Sequence, residues 1–468
     1  MVRDNNGGMI KPVIVSERML NALIDRWRSP ENKGYFVRGI PGTTPQHNVR
    51  SITLLDLKTG KCVTAGTRDN AGALVKFSQQ SISKSVAEAL AVKLLAENGA
   101  ANEVKAFERM VGFDASGRPY NDHATYPDRP GVPFNSSVNK GALKTWDIII
   151  TQAKKQKRDP FELYLGFERQ LAGNSTLNFK QDMANGEFNY RPAEGQESNN
   201  MQMLAELQAD GSLDNPREEV YLAYCKACAI MVNTEDAARI KAGLRTGRYA
   251  GTAGRFMSAE KAEVLTRSTA VHGMYDESGH IFTNTGASAK SGVDGGLIGS
   301  LPSKIHGNPD IIFASHHAAL NPKGNSLEGN RWLEKLSSMP LIFADDKKLS
   351  KVSTLAKGAL RNVRDKAAPA IAVPARSPEA MDLELRAGMA DGGVQRLEAA
   401  LNHRLGDHYK GGFYLKEAKS GKSLNGASLL LTETDKKGND KHYYHVPDKH
   451  NIEKVIVTWA LPSEYRLP

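Results

Sequence analysis

Cysteine is scarce in this sequence: Cys62, Cys225 and Cys228 are its only three. They are too few for a disulfide framework, so a reducing compartment is expected. Cys225-Lys226-Ala227-Cys228 has C-x-x-C form, but no second pair and no histidine stands at zinc spacing. These thiols therefore read as buried helix residues, and no metal or other cofactor is expected. Long apolar runs are missing as well, which excludes a membrane-spanning helix and a membrane partner. Met1-Val2-Arg3-Asp4-Asn5-Asn6 lacks the apolar core of a signal peptide, so a cytoplasmic location is expected. Aromatic residues are 7% of the chain and seldom alternate with basic ones. The net charge of +10 is thus read as a solvated surface, and nucleic acid is not an expected partner.

What is present is globular composition in bulk: 468 residues, 40% hydrophobic and 24% charged, enough for two or three domains. Ser16 to Arg28 is predicted as a helix with Ser16 as its cap. Val49–Leu57 and Cys62–Ala65 read as a hairpin turned by Lys58-Thr59-Gly60. Helices are predicted at 143–157, 160–170, 199–209, 217–231 and 259–271, with a polar loop over 172–198. Short strands and tight turns are predicted over 280–315, including Ile281-Phe282, and Arg331–Leu336 begins a further helix. This gives an α+β domain over 1–344, whose sheet is completed by both ends. A basic amphipathic helix (Lys347–Asp365) and an Ala/Pro linker (Ala367–Arg376) follow. Residues 377–468 read as a small α+β module opening on Ser377-Pro378-Glu379, with strands over 409–460 and a turn at Lys436-Lys437-Gly438-Asn439-Asp440. This module is the expected place for any protein partner.

Phe77-Ser78-Gln79-Gln80-Ser81-Ile82-Ser83-Lys84 leads into a run of apolar residues with helical spacing. Ser81 and Lys84 are three residues apart, which on a helix places both on one face. A serine hydroxyl needs a base to become a nucleophile, and a desolvated lysine amine can be that base. The start of a helix adds N–H groups that favour a developing oxyanion. By itself S-x-x-K is common in soluble helices. Four further stretches carry chemically loaded residues: Pro133-Phe134-Asn135-Ser136-Ser137-Val138-Asn139-Lys140-Gly141-Ala142, Tyr221 to Ile230, Gly273-Met274-Tyr275-Asp276-Glu277-Ser278-Gly279, and Ala289-Lys290-Ser291-Gly292-Val293-Asp294-Gly295-Gly296. Taken singly, each also reads as turn chemistry or a core aromatic.

In this order, and with Gly324-Asn325-Ser326-Leu327-Glu328-Gly329, these stretches resemble the serine-dependent glutaminases. The resemblance runs from about residue 20 to about 340. It implies a β-lactamase/DD-peptidase-like fold with an antiparallel sheet flanked by helices, and hydrolysis of L-glutamine to glutamate and ammonia without a cofactor. It implies that Ser81 is the nucleophile, Lys84 its general base, and Tyr275 the active-site tyrosine that relays a proton to the departing ammonia. The backbone N–H groups of Ser81 and Val293 would form the oxyanion hole. Asn139, Asn200 and Tyr224 fall on positions that hold the substrate's polar groups, and a homodimer or homotetramer is implied. Such a substrate asks for a carboxylate facing its ammonium and N–H or O–H donors facing its carboxylate. Its amide carbon must sit about 3 Å from the serine oxygen.

The chain departs from the family pattern on the recognition side. Gly39 stands at the tyrosine of the family's Y-I-P motif, with Tyr35 nearby, and Asn199 stands at the arginine of R-N. The substrate-amine glutamate belongs seven residues before Asn200, where Ala193 sits, so the adjacent Glu194 is expected to take that role. The family's L-A-N-G-G stretch is Leu244-Arg245-Thr246-Gly247-Arg248 here. Two alternatives stay open from sequence: another serine amidase of the β-lactamase-like group, and a glutaminase-like scaffold with an altered substrate or a binding role.

Overall fold

In the computed structural model the described residues are 2–26 and 48–343, with positions 396, 399–401 and 403 and four strands beyond 412. The chain divides into two compact units, Met1–Leu355 and Ala356–Pro468.

The first unit is built on a five-stranded antiparallel sheet in the order Ser288–Ser291, Gly296–Leu301, Ile311–His316, Ser51–Asp56, Cys62–Gly66. Both ends of the unit supply strands, as the sequence pattern predicts. Alternation along each strand sends side chains to opposite faces. Ile52, Leu54, Leu297 and Phe313 meet Leu20, Leu23, Trp332 and Leu336 from the helices Glu17–Arg26 and Leu327–Ser337. Leu55, Ile298, Ile312 and Ala314 join a larger core made by the helical part of the unit. Each large side chain so buried contributes roughly 1.5–3 kcal/mol. The helix Ser83–Glu97 lies in that core, with Val86, Ala87, Leu90, Ala91 and Leu94 all buried.

The hairpin of 51–66 forms as read, with Gly60 at φ +74 accepting the turn. Other predictions need revision. Ile281-Phe282 is part of a helix, Ser278–Thr285, closed by Gly286 in the left-handed conformation. Gly286, one of the glycines that suggested turns, caps this helix instead of separating strands. The loop expected over 172–198 contains the helix Gln181–Phe188. The helix placed at 143 begins at Asn139, and that placed at 331 begins at Leu327 under a Ser326 cap. The segment 217–231 is a helix to Cys228 and then a short strand, Met231–Val232. Thr234–Thr246, which no pattern singled out, is a central helix opened by a full capping box between Asn233 and Asp236.

In the second unit four strands form one sheet in the order Phe413–Glu417, Glu453–Thr458, Asp440–Val446, Ser428–Thr434. The first pair is parallel and the others antiparallel. The predicted basic helix, the linker, the helix at 377 and the turn at 436–440 lie outside the described residues, the turn's last residue excepted.

Candidate active site

Ser81 sits in a single 3-10 turn, Gln80–Ile82, immediately before the helix Ser83–Glu97 that carries Lys84. Gln80 is held at φ +47, a conformation rare for a non-glycine residue. Strain of this kind persists only where the surroundings over-determine it. Ser81 and Lys84 are both buried, the lysine almost completely.

Lys84 Nζ donates to the Ser137 carbonyl at 2.9 Å and to Asn139 Oδ1 at 2.6 Å. Both acceptors are neutral. Burial therefore pulls the Lys84 amine down to about 7, while Cys228 and Glu187 push weakly the other way. The Pro133–Ala142 stretch is shaped to present these acceptors. Asn135 Oδ1 accepts from the N–H groups of Ser137 and Val138, and Asn135 Nδ2 donates to the Asp114 carbonyl. A side chain at Gly141 would meet the Asn135 carbonyl at 1.8 Å, so glycine is required there. His272 Nδ1 lies 2.8 Å from the Ser137 hydroxyl and is kept neutral by burial, with its pKa lowered to about 3.

Tyr275 closes the other side of the site. It is buried at φ +57. Its hydroxyl accepts from Lys290 Nζ at 3.0 Å, and the Ser81 and Ser291 hydroxyls are also its partners. Burial raises the Tyr275 phenol and lowers the Lys290 amine, disfavouring the charged form of each. Lys84 Nζ lies 5.9 Å from the centre of the same ring. Asn325 explains why the Gly324–Gly329 stretch belongs to the constellation. Its Nδ2 donates to the Met274 carbonyl at 3.2 Å and its Oδ1 accepts from the Ser291 hydroxyl. The turn carrying Tyr275, the strand carrying Lys290-Ser291 and the segment carrying Asn325 are thereby joined.

Val293 lies in the turn between the strands 288–291 and 296–301, where Gly295 is at φ +89. The turn rests on the residues before Ser81: a side chain at Gly292 would meet the Gln79 carbonyl at 2.6 Å. Among the described residues, the N–H groups of Ser81 and Val293 have no acceptor. Ser81 is buried and Val293 half-buried, and N–H groups left without an acceptor on two adjoining turns are free to meet one.

A profile of the glutaminase family matches residues 48–341. The chain belongs to the glutaminase family. A glutaminase of Shouchella clausii is 30% identical over 321 residues, 68% of this chain and 95% of its own length. Glutaminase 2 of Clostridium perfringens is 30% identical over 323 residues, 69% of this chain and 97% of its own. The crystal structure of a probable glutaminase of Bacillus subtilis superposes with a TM-score of 0.57 at 22% identity, covering 69% of this chain and 95% of that one. The fold is β-lactamase-like, with the sheet and helices placed as in these glutaminases.

Asn139 Nδ2 donates to Asn200 Oδ1 at 3.0 Å, which links both asparagines to Lys84. Tyr224 is buried on the helix Arg217–Cys228, one turn from Cys228, its phenol raised well above the ordinary range by burial. Glu194 does not join them: it is exposed in the loop before Asn199. The buried carboxylate here is Glu187, at the end of the helix Gln181–Phe188. Burial raises it to about 7, Lys84 pulls it back, and its Oε2 has no partner. No spacing rule could have found Glu187, because the loop 189–197 lengthens the interval to Asn200. Asn199 faces away, bonded to His123 at 2.7 Å and to the Asn121 carbonyl at 3.0 Å. Tyr120, which sequence reading passed over, packs its ring at a tilt against that of Tyr275, centres 5.1 Å apart. Gly39 and Tyr35 lie outside the described residues.

Cys225 and Cys228 are buried thiols, as read, and all three cysteines are free. Among the described residues no cluster of His, Cys, Asp or Glu could hold a metal ion, and no helix is long and apolar enough to cross a membrane.

Proposed function

We propose that this chain hydrolyses L-glutamine to L-glutamate and ammonia through an acyl-enzyme on Ser81. The observation that carries the reading is the buried Lys84, hydrogen-bonded only to neutral oxygens and shifted to about 7. Such an amine is neutral often enough at physiological pH to accept a proton. Lys84 takes the Ser81 hydroxyl proton as Ser81 Oγ bonds to the amide carbon. The carbonyl oxygen becomes an oxyanion facing the N–H groups of Ser81 and Val293. The C–N bond then breaks as the proton held by Lys84 passes through the Tyr275 hydroxyl, backed by Lys290, to the departing nitrogen, which leaves as ammonia and returns Lys84 to its neutral form. Water, deprotonated by Lys84, hydrolyses the γ-glutamyl ester, and the proton returns to Ser81.

Recognition of the α-amino acid end falls to Glu187 for the ammonium, in place of Glu194, and to Asn139, Asn200 and Tyr224 for the carboxylate. An arriving cation replaces the partner that Glu187 Oε2 lacks, and a charge-assisted bond of this kind is worth about 1.5–3 kcal/mol. We assign the chemistry to residues 1–344, treat 345–376 as a connector and 377–468 as a separate module. The three free cysteines support a cytoplasmic site of action. A homodimer or homotetramer is the assembly the family resemblance favours.

Ammonia and glutamate release from L-glutamine by purified protein tests the reading. Both should appear in equal amounts, and Ser81→Ala should lower the rate on the order of 10³-fold or more. Wild-type release no greater than that of Ser81→Ala would refute it.

A further inference from the structure

The two proposed oxyanion donors sit on separate turns, and one side chain crosses between them. Asp294 follows Val293. Its Oδ2 accepts from the Ser78 N–H at 2.9 Å and from the Ser78 hydroxyl at 2.8 Å. Ser78 is buried and stands three residues before Ser81. The backbone of Asp294 is held from the opposite side: its carbonyl accepts from His316 Nε2 at 2.9 Å. A carbonyl can only accept, so His316 carries its proton on Nε2, and burial keeps the ring neutral. His316 also stacks on Phe77, ring centres 4.3 Å apart, directly beside Ser78. The turn itself is narrow, with Gly295 N–H bonded to the Gly292 carbonyl at 2.9 Å and Gly292 N–H to the Gly296 carbonyl at 2.8 Å.

We propose that Asp294, clamped to Ser78 and carried by His316, is the positioning residue that sets the Val293 N–H against the Ser81 N–H. It touches no substrate. Its action is geometric: the carboxylate fixes the separation of two turns whose donors must both reach one oxygen atom. A donor displaced by even a fraction of an ångström loses transition-state stabilisation while ground-state binding is kept. A purely structural bond from Asp294 to the Ser78 N–H would affect stability and leave catalysis alone. The inference rests on the acyl-enzyme reading above, and its test separates the two.

The decisive comparison is Asp294→Ala against Asp294→Asn, in the full-length protein, with L-glutamine and with an activated ester, p-nitrophenyl acetate. Asp294→Ala should lower kcat about 10- to 100-fold with KM within about twofold of wild type. Asp294→Asn should recover to within about threefold, because its amide oxygen accepts the same two bonds. The ester should report the same ratios, since it needs Ser81 and the oxyanion hole but not the glutamine wall. Equal kcat in Asp294→Ala and wild type would overturn the clamp. So would a loss shared by Asp294→Asn, or a loss expressed in KM alone. If Asp294→Ala does not fold, Ser78→Ala, which removes one of the two bonds, decides: lowered kcat at constant KM supports the clamp, and unchanged kcat overturns it. A wild type that ignores glutamine but acylates Ser81 from the ester, with the predicted variant ratios, would sink the glutamine reading and keep the clamp. A wild type inert toward both would sink both.

Discussion

Lys84 Nζ lies 2.6 Å from Asn139 Oδ1, and the Asn139 amide in turn lies 3.0 Å from Asn200 Oδ1. The proposed base and two proposed substrate-binding residues are therefore one hydrogen-bonded chain. The position of the proposed base therefore depends on these two asparagines. Burial lowers the pKa of that base, and no anion in the chain offsets it.

The rate should follow the ionisation of Lys84. With its pKa lowered to about 7, the neutral amine is the minor form below that pH and the major form above it. The expected kcat therefore rises through pH 7 to a plateau, measured as a pH–rate profile of ammonia release. Lys84→Ala should lose about 10²- to 10⁴-fold with little change in stability. A flat profile between pH 6 and 9 would remove Lys84 as the base.

Glu187 and Glu194 should behave oppositely. Glu187→Gln keeps shape and hydrogen bonding but loses the charge that meets an ammonium, so KM for glutamine should rise about 10- to 100-fold. Glu194→Gln, at an exposed position, should leave KM and kcat unchanged. Steady-state kinetics of the two variants measures this directly.

Tyr275→Phe removes the hydroxyl that Lys290 donates to at 3.0 Å. The expected result is a fall in kcat on the order of 10²-fold, largest at the step that releases ammonia. Rapid-quench measurement should find no ammonia burst in this variant. The ester substrate, whose leaving group needs no proton, should be affected far less.

Glu168 should make stability depend on pH. It is fully buried, bonded to Gln79 Nε2 at 3.1 Å, and raised from 4.5 to about 8. The folded state therefore holds a proton that the unfolded chain releases above pH 4.5. The stabilisation is fully present below 4.5 and is lost as pH rises through about 8. Thermal unfolding of wild type should show Tm falling across this window, and Glu168→Gln, which cannot ionise, should flatten the fall.

The residues of the proposed catalytic side could be grouped from sequence because they lie in short stretches whose spacing is fixed by single turns: Ser81 to Lys84, Lys290 to Val293. The sheet was legible from both ends for the same reason, since alternation is a local property. Glu187 was not, because its distance from Asn200 along the chain depends on loop length, while its distance from Lys84 depends on how two helices pack. The helix Thr234–Thr246 was hidden for a related reason. Its buried face includes Ala237, Ala238, Lys241 and Gly243, residues too small or too polar to print an apolar stripe. Ile281-Phe282 misled because glycines mark helix caps as readily as turns.

The central claim is that Ser81 becomes acylated. Enzyme quenched in acid during turnover of L-glutamine, digested and analysed by mass spectrometry, tests it most directly. A γ-glutamyl adduct should appear on the peptide containing Ser81 and be absent from Ser81→Ala. Ammonia release by wild type with no adduct on that peptide, together with retained activity in Ser81→Ala, would contradict the account.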